Sequence, residues 1–570
     1  MKTPILGGAY VARSVNAAAN RMVNLYPEVV PEGGKEAAFL QRCPGLRLAA
    51  TVGEGPIRGM WKFGDFLYVA SGGKLYRVDG NFAVTELGLI NGSGPVSMAD
   101  NGIQLFVACN PSAFIYNANT GVFAQVTDPD FPGAVTVGYL DSYFVFNEPN
   151  SQRVWVTSLL DGTAIDPLDF ASAEGNPDNI VSLMVDHREV WLFGNNTVEV
   201  WYNAGLADFP LARIEGAFME TGCLAPYSVA KLDNAVFWLG SDARGNGIVY
   251  RNQGYNAQRV STHAIEWQIQ QYVVLNDAIG YSYQQDGHSF YVLVFPTAQA
   301  TWVFDVATGA WHERAYWDGV QYRRHRSNCQ ANFAGQVLVG DWENGRVYAF
   351  DPEVYQDGTD EQRWLRSWRA LPTGQNTLKR TAHHALQLDC ETGTTAFDTT
   401  QATVKWLAFA TGILQYAAGT QPGSSIMGEK FNGRMLGDVD NTGTIVLADA
   451  LAVLSYAAGN PVSEPVKNYL EITATQILFS NPAKYNAYID GTVSSGSSNA
   501  MLRWSDDGGH TWSNEHWASM GKLGEYGKRV IWRRLGMTTK LRDRVYEVSG
   551  TDPVKIAIMG AELSVTPTSA

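Results

Sequence analysis

Between residues 55 and 355 one unit recurs, and this recurrence limits the possible folds more than any other feature of the chain. Each copy has a first strand, a turn with Gly or Asp, a strongly apolar strand, another turn, and a strand with Tyr or Trp. GPIRGMWKFGDFLYVASGGKLYRVD is the first, and PVSMADNGIQLFVACNPSAFIYNANTGVF and AVTVGYLDSYFVFNEPNSQRVWVTS follow. VSLMVDHREVWLFGNNTVEVWYNAG, YSVAKLDNAVFWLGSDARGNGIVYR, IGYSYQQDGHSFYVLVFPTAQATWVFDVATGAW and ANFAGQVLVGDWENGRVYAFD complete the series. Unit starts fall about 40 to 50 residues apart, the period of four-stranded propeller blades. A unit this small buries its apolar faces only against its neighbours. The pattern predicts a β-propeller of six or seven blades; the count stays open because a terminal strand often completes the last one. A sandwich built from a regular meander is the alternative.

Composition fits a β-rich chain. Charged residues make up 17% and aromatics 12%, and 57 of the 570 residues are Gly. The length allows about four domains. A formal net charge of −14 argues against a protein that wraps nucleic acid, which needs a basic footprint, but not against one through which DNA passes. The five cysteines (Cys43, Cys109, Cys223, Cys329, Cys390) are odd in number, far apart and in no CxxC pattern. They read as buried free thiols made in a reducing compartment. The opening MKTPILGGAYVARSVNAAANR lacks the apolar core of a secretory signal. No apolar run approaches the roughly 20 residues that span a membrane.

One stretch breaks the β pattern: GDVDNTGTIVLADALAVLSYAAGN, 437–460, is an acidic loop running into an apolar helix. With Asp438 first, Asp440 is third, Thr442 fifth, Gly443 sixth, Thr444 seventh and Asp449 twelfth. That spacing wraps oxygen ligands around calcium, with glycine at the sharp turn and the seventh residue giving its backbone carbonyl. Val446, ninth, has no oxygen, and position twelve is Asp in place of Glu. Such a loop followed by ALAVLSYAAG resembles the dockerin repeat, and a second copy, LAFATGILQYAAG, ends 40 residues upstream at Gly419. It has Phe409 where Asp449 stands and keeps only Asp398 at its first position, so the resemblance implies one Ca2+ site.

The two ends of the chain carry another resemblance. PILGGAYVARSVNAAANRMVNLYPEVVPEGG, FLQRCPGLR, TAHHALQLDCETG (381–393) and MLRWSDDGGHTWSNEHWASMGKLGEYGKRVIWRRLGMTTKLRDRVYEV (501–548) resemble the packaged-DNA stabilisation proteins, the tail hubs or nozzles, of short-tailed phages. The segment from about 394 to 497 departs from that pattern and holds the dockerin-like repeats. The implied layout is an N-terminal segment (1–54), a β-propeller (55–355), a C-terminal β-rich tail or docking domain (356–393 and 498–570) and an inserted α-helical module (394–497). The resemblance implies a homo-hexamer in the virion tail, made in the host cytoplasm, that extends the DNA channel and retains packaged DNA. Implied partners are the portal adaptor, tail fibres or spikes, a tail plug or needle, and the genomic double-stranded DNA passing through.

Candidate sites are few. RRHR (323–326), RWLRSWR (363–369) and KRVIWRR (528–534) mix arginine with aromatics, which suits a docking face or phosphate contact; carboxylate pairing across a β surface is the simpler reading. Arg363, Arg366, Arg369, Arg529, Arg533 and Arg534 are the interface candidates. SDDGGHTW fits the Asp-box, a hairpin in which Ser505 and Asp507 cap amides, Gly509 takes the positive φ, and Thr511 and Trp512 close the turn. Known from sialidase propellers, it lies there away from the chemistry. His383 and His384 are neighbours on an alternating strand and point to opposite faces, so a structural role is expected. No Walker loop, GxSxG elbow, HExxH or spaced acid pair indicates catalysis. A secreted sialidase- or glycanase-like enzyme carrying a dockerin, and a host-surface adhesin, are the alternatives.

Overall fold

The computed structural model describes all residues except 16, 32, 35, 174, 176–177, 207–208, 373–379, 393–396, 399–402, 421–426, 428–429, 432–433, 441, 443, 475–477, 479–487, 491–493, 496–497, 522–527, 539–543 and 568–570. Gly443 and the expected boundary residues 393, 394 and 497 therefore lie outside the described residues.

Seven antiparallel sheets follow one another: 57–89, 97–125, 137–172, 180–219, 222–259, 279–313 and 327–351. They coincide with the seven sequence units and set the blade number. Two-residue hairpins join many strands; Asp233-Asn234 (φ +50° and +60°) and Asp286-Gly287 (φ +51° and +82°) adopt the left-handed pair that matches strand twist. The first strands converge on the axis, where backbones approach closely. A Cβ at Gly280 would lie 2.2 Å from the Ser228 carbonyl, so only glycine fits there. Between blades the cores are aromatic and aliphatic; Phe106, for instance, lies against Phe144 and Phe146 at 5.4 and 5.9 Å.

The N-terminal segment is not a separate unit, and the expected boundary at 54/55 is corrected. Gly45–Thr51 pairs antiparallel with Arg346–Asp351 and supplies the fourth strand of the seventh blade, with Gln356–Asp357 on its far side. Without it that sheet would have three strands and an unpaired edge. Met22–Val23 pairs with Glu313 of blade 6 on one side and with Trp364–Arg369 on the other. The blade 6 sheet thus continues into the C-terminal domain as a nine-stranded sheet, through Val545–Gly550 and Ser498–Ser505 to His516–Gly521. A second sheet, in the order Leu25–Val29, Ala38–Arg42, Ile556–Pro567, Thr381–Thr392, Val530–Arg533, completes the sandwich. Trp364, Trp368, Leu386, Leu502, Tyr546 and Ile558 share its buried core.

The insertion has a core of its own. Phe409, Ile413, Leu436, Val453 and Leu470 are buried together, and among the described residues none from outside the insertion joins that cluster. Helices Trp406–Ala417 and Leu447–Ala457 bury one face each, as their apolar spacing predicts. The two chain ends run side by side, Thr403–Val404 pairing with Ile489–Asp490 and Phe397–Asp398 with Ser494–Ser495. Among the described residues no helix is long and apolar enough to cross a membrane.

Candidate functional site

The arginine-rich segments divide into interior and surface groups. Arg366 is fully buried, and its Nε donates to the Ile5 carbonyl at 2.7 Å while its other nitrogens reach Leu6 and Gly8. Burial with no carboxylate nearby lowers its pKa to about 9. It fastens the N-terminal segment to the sandwich and is removed from the interface candidates. Arg369 donates to Val15 O at 3.2 Å. Arg363 pairs with Glu515 at 2.7 Å and lies over Trp317. In RRHR the simpler reading holds: Arg326 pairs with Asp341, Glu343 and Asp360, Arg324 stacks on Trp342, and only Arg323 reaches well into solvent. The alternation of strand faces was legible in RWLRSWR, but not that both faces of this strand are covered.

Arg529, Arg533 and Arg534 are different. All three are exposed and none is in an ion pair among the described residues. They lie on or beside Val530–Arg533, the edge strand of its sheet, whose Trp532 donates to the His516 carbonyl on the edge strand of the opposing sheet. Arg534 is held at φ +61°, which turns the chain as the strand ends.

The Asp-box forms the expected hairpin. Asp507 accepts from the Ser505 hydroxyl at 2.6 Å, from the Thr511 hydroxyl at 2.6 Å, and from the His510 and Thr511 amides. Those bonds hold its carboxyl well below the usual range. Gly509 sits at φ +108° and donates to Ser505 Oγ, and Arg503 covers the Trp512 ring at 4.8 Å. Asp506, between Ser505 and Asp507, pairs instead with Arg544. His383 is buried between Tyr546 and Thr381, and His384 is exposed, as the alternation requires.

In the insertion the carboxylates of Asp438, Asp440 and Asp449 converge, with one oxygen of each within 4.8 Å of the others. Asp438 and Asp449 are 2% and 1% exposed. Asp449 Oδ1 accepts from the Val439 and Asp440 amides, and its Oδ2 from the Val446 amide at the helix start. The Thr442 amide donates to Asp438 and Asp440, and the Thr444 carbonyl faces the Thr442 hydroxyl. Two buried like charges and a third beside them repel strongly at low dielectric, so the cluster suits a hard cation. In the upstream copy Phe409 has become a core residue.

All five cysteines are free; Cys43, Cys109 and Cys223 are buried, Cys329 and Cys390 partly so. Burial pushes their thiols up to about 11 or 12. On the propeller axis lies an open cavity of about 490 Å3, lined by residues such as Met60, Met98, Val137, Leu183 and Ile279. It has the size of a small-molecule pocket and is far too small for a DNA duplex.

Family models match two parts of the chain, the second starting inside the segment 394–497. The family described as "Bacteriophage P22 Gp10, beta-propeller" matches residues 1–355, and that described as "Bacteriophage P22 Gp10, beta-sandwich" matches residues 479–566. A search of curated proteins found no match. Among solved structures, the computationally designed Ika8 protein is similar at 13% identity and a TM-score of 0.34, over 53% of this chain and 99% of that one. The N-terminal domain of Nup159 gives 10% and 0.37, over 56% and 97%. PorZ, a surface component of the type-IX secretion system of Porphyromonas gingivalis, gives 9% and 0.32, over 60% and 44%. These overlaps are too loose to carry a conclusion.

Proposed function

The chain belongs to the family of the bacteriophage P22 Gp10 tail protein, and from that membership we propose that it is the nozzle subunit of a short-tailed phage. As a member it is a phage tail structural protein, a virion component and not an enzyme. The secreted glycan-cleaving alternative is thereby set aside. The proposal goes further. Subunits form a hexameric ring below the portal and its adaptor, extend the DNA conduit, retain the packaged genome, and offer sites to tail fibres or spikes and to a plug or needle.

The observation that carries this reading is the family match across both the propeller and the sandwich. The axial cavity adds a geometric constraint. Because a duplex cannot pass through one propeller, a conduit for DNA has to be enclosed by several subunits, and closing a ring requires contacts between different patches of identical chains. Net negative charge lets a polyanion slide along the wall without sticking. If such contacts formed freely, rings would precede DNA filling, so the free protein is monomeric in this reading. The exposed Arg529, Arg533 and Arg534 are the remaining docking candidates, together with the half-buried Arg363 and Arg369.

The insertion is a separate module carried by the tail domain. Asp438, Asp440, Thr442, Thr444 and Asp449 would hold one Ca2+, which when bound supplies the positive charge that offsets the buried carboxylates and locks the loop to its helix. The aliphatic side chains Leu407, Leu447 and Leu451 are 69%, 57% and 55% exposed on this module, which favours a gripping role at the host surface in addition to the structural one. Electron microscopy of intact virions tests the main reading. The density should place this chain below the portal adaptor in a closed ring, and a copy number far from that of a hexamer would refute the nozzle assignment.

A further inference from the structure

The open edge of the sandwich and one flank of the propeller are complementary in charge and in apolar content. At the edge, His516–Gly521 and Val530–Arg533 each pair on one side only among the described residues. Around them stand Trp517 and Met537, 62% and 50% exposed, and Arg529, Arg533 and Arg534, which have no ion pair among the described residues. Most other arginines of this domain are engaged, Arg503 with Glu547 and Arg544 with Asp506. A cationic edge around an exposed tryptophan has the composition of an interface centre.

The flank is on blade 3. Its two connections, 127–133 and 157–169, are tied together by the Ile165 amide donating to Asp128. They carry Asp128, Asp130, Asp161, Asp166 and Asp169, none of them in an ion pair among the described residues. Leu159, Leu160 and Leu168 are 63%, 51% and 77% exposed beside them. Burial, and secondarily the neighbouring Asp166, pushes the Asp169 carboxyl up. The whole arc of blades 2–4 (97–219) is acidic, with fifteen carboxylates against three arginines.

Placement decides what these two patches can do. The sandwich continues the sheet of blade 6, and blade 3 is three blades away in a ring of seven, nearly opposite. The two patches cannot meet within one chain. We propose that the basic edge of one subunit around Trp517, Arg533 and Arg534 docks on the acidic blade 3 flank of a second copy, giving the head-to-tail contact that closes the ring. This rests on the nozzle reading and names the surfaces it needs. Opposite charges steer the encounter, and the apolar centres exclude water once it forms.

The test uses full-length protein and DNA-filled heads lacking it, with copies per particle as the readout. Arg533→Glu with Arg534→Glu should lower attachment at least about tenfold, as should Asp130→Lys with Asp166→Lys. Mixing the two variants should restore it, because an alternating ring sets a reversed edge against a reversed flank and a native edge against a native flank, and combining all four substitutions in one chain should restore it as well. Melting temperatures verify that each variant folds; if the charge variants do not, Leu168→Asp and Trp517→Ser, both at exposed positions, should give the same loss. Normal attachment of either double variant, or failure of the fourfold variant to recover, overturns the pairing of these surfaces. Wild-type tails holding a single copy would instead remove the ring itself.

Discussion

Mild acid should loosen the join between propeller and sandwich through His312. This residue lies on Ala310–Glu313, the blade 6 strand that meets Met22–Val23. It is fully buried, its ring lies 6.1 Å from Tyr26 and 5.9 Å from Phe290, and neither nitrogen has a hydrogen-bond partner among the described residues. Burial, with Arg314 and His288 adding positive charge and Asp305 opposing them, pushes its pKa down to about 3. The folded state therefore holds the neutral ring, while an unfolded histidine titrates near 6.5. A depressed pKa of this kind contributes stability that is full above 6.5 and is lost as pH falls toward 3. The linkage gives a loss of about 1.4 kcal/mol near pH 5.5 and about 2.7 kcal/mol near pH 4.5. His325, also held neutral by burial, adds in the same direction. His288, raised by its bond to Asp305, acts oppositely: its contribution is full below 6.5 and lost as pH rises through its raised pKa. His312→Phe keeps a ring between Tyr26 and Phe290 and removes the titration. Urea unfolding of both proteins at about pH 7, 5.5 and 4.5 should show the variant losing less stability by those amounts. Parallel pH dependence in the two proteins would show that His312 is not the group responsible.

Deleting residues 394–497 and joining the flanking strands should leave the rest folded, because the insertion has its own core; insoluble protein or failure to enter particles would make it part of the main domain. Calorimetric titration of the full chain with Ca2+ should show about one site, abolished by Asp438→Ala, and a flat titration would leave a metal-free relic. Gly345→Ala should destabilise the propeller by roughly 1–3 kcal/mol, since the new Cβ would lie 2.1 Å from the Gly53 carbonyl where the seventh blade closes; an unchanged melting temperature would mean the closure yields without strain.

The repeat determined the propeller by itself. Seven units of alternating strands each had a face to bury, and local periodicity records which residues alternate. The Asp-box hairpin and the opposite faces of His383 and His384 were legible for the same reason: their hydrogen bonds and directions are set within a few residues. The acidic loop spacing likewise brought Asp438, Asp440 and Asp449 together as read. Three things were not local. Gly45–Thr51 joins a strand some 300 residues later, and no periodicity in 1–54 reveals which sheet edge lies open to receive it. Arg366 looked like its neighbours in RWLRSWR, yet the N-terminal carbonyls arriving from Ile5 to Gly8 bury it completely. The flank of blade 3 went unread because its five carboxylates come from two separate connections, and only the fold sets them side by side around exposed leucines. Sequence fixes what a residue prefers to have around it; long-range strand pairing decides which distant segment fills that place, because its free energy depends on contacts that exist only once the chain has closed.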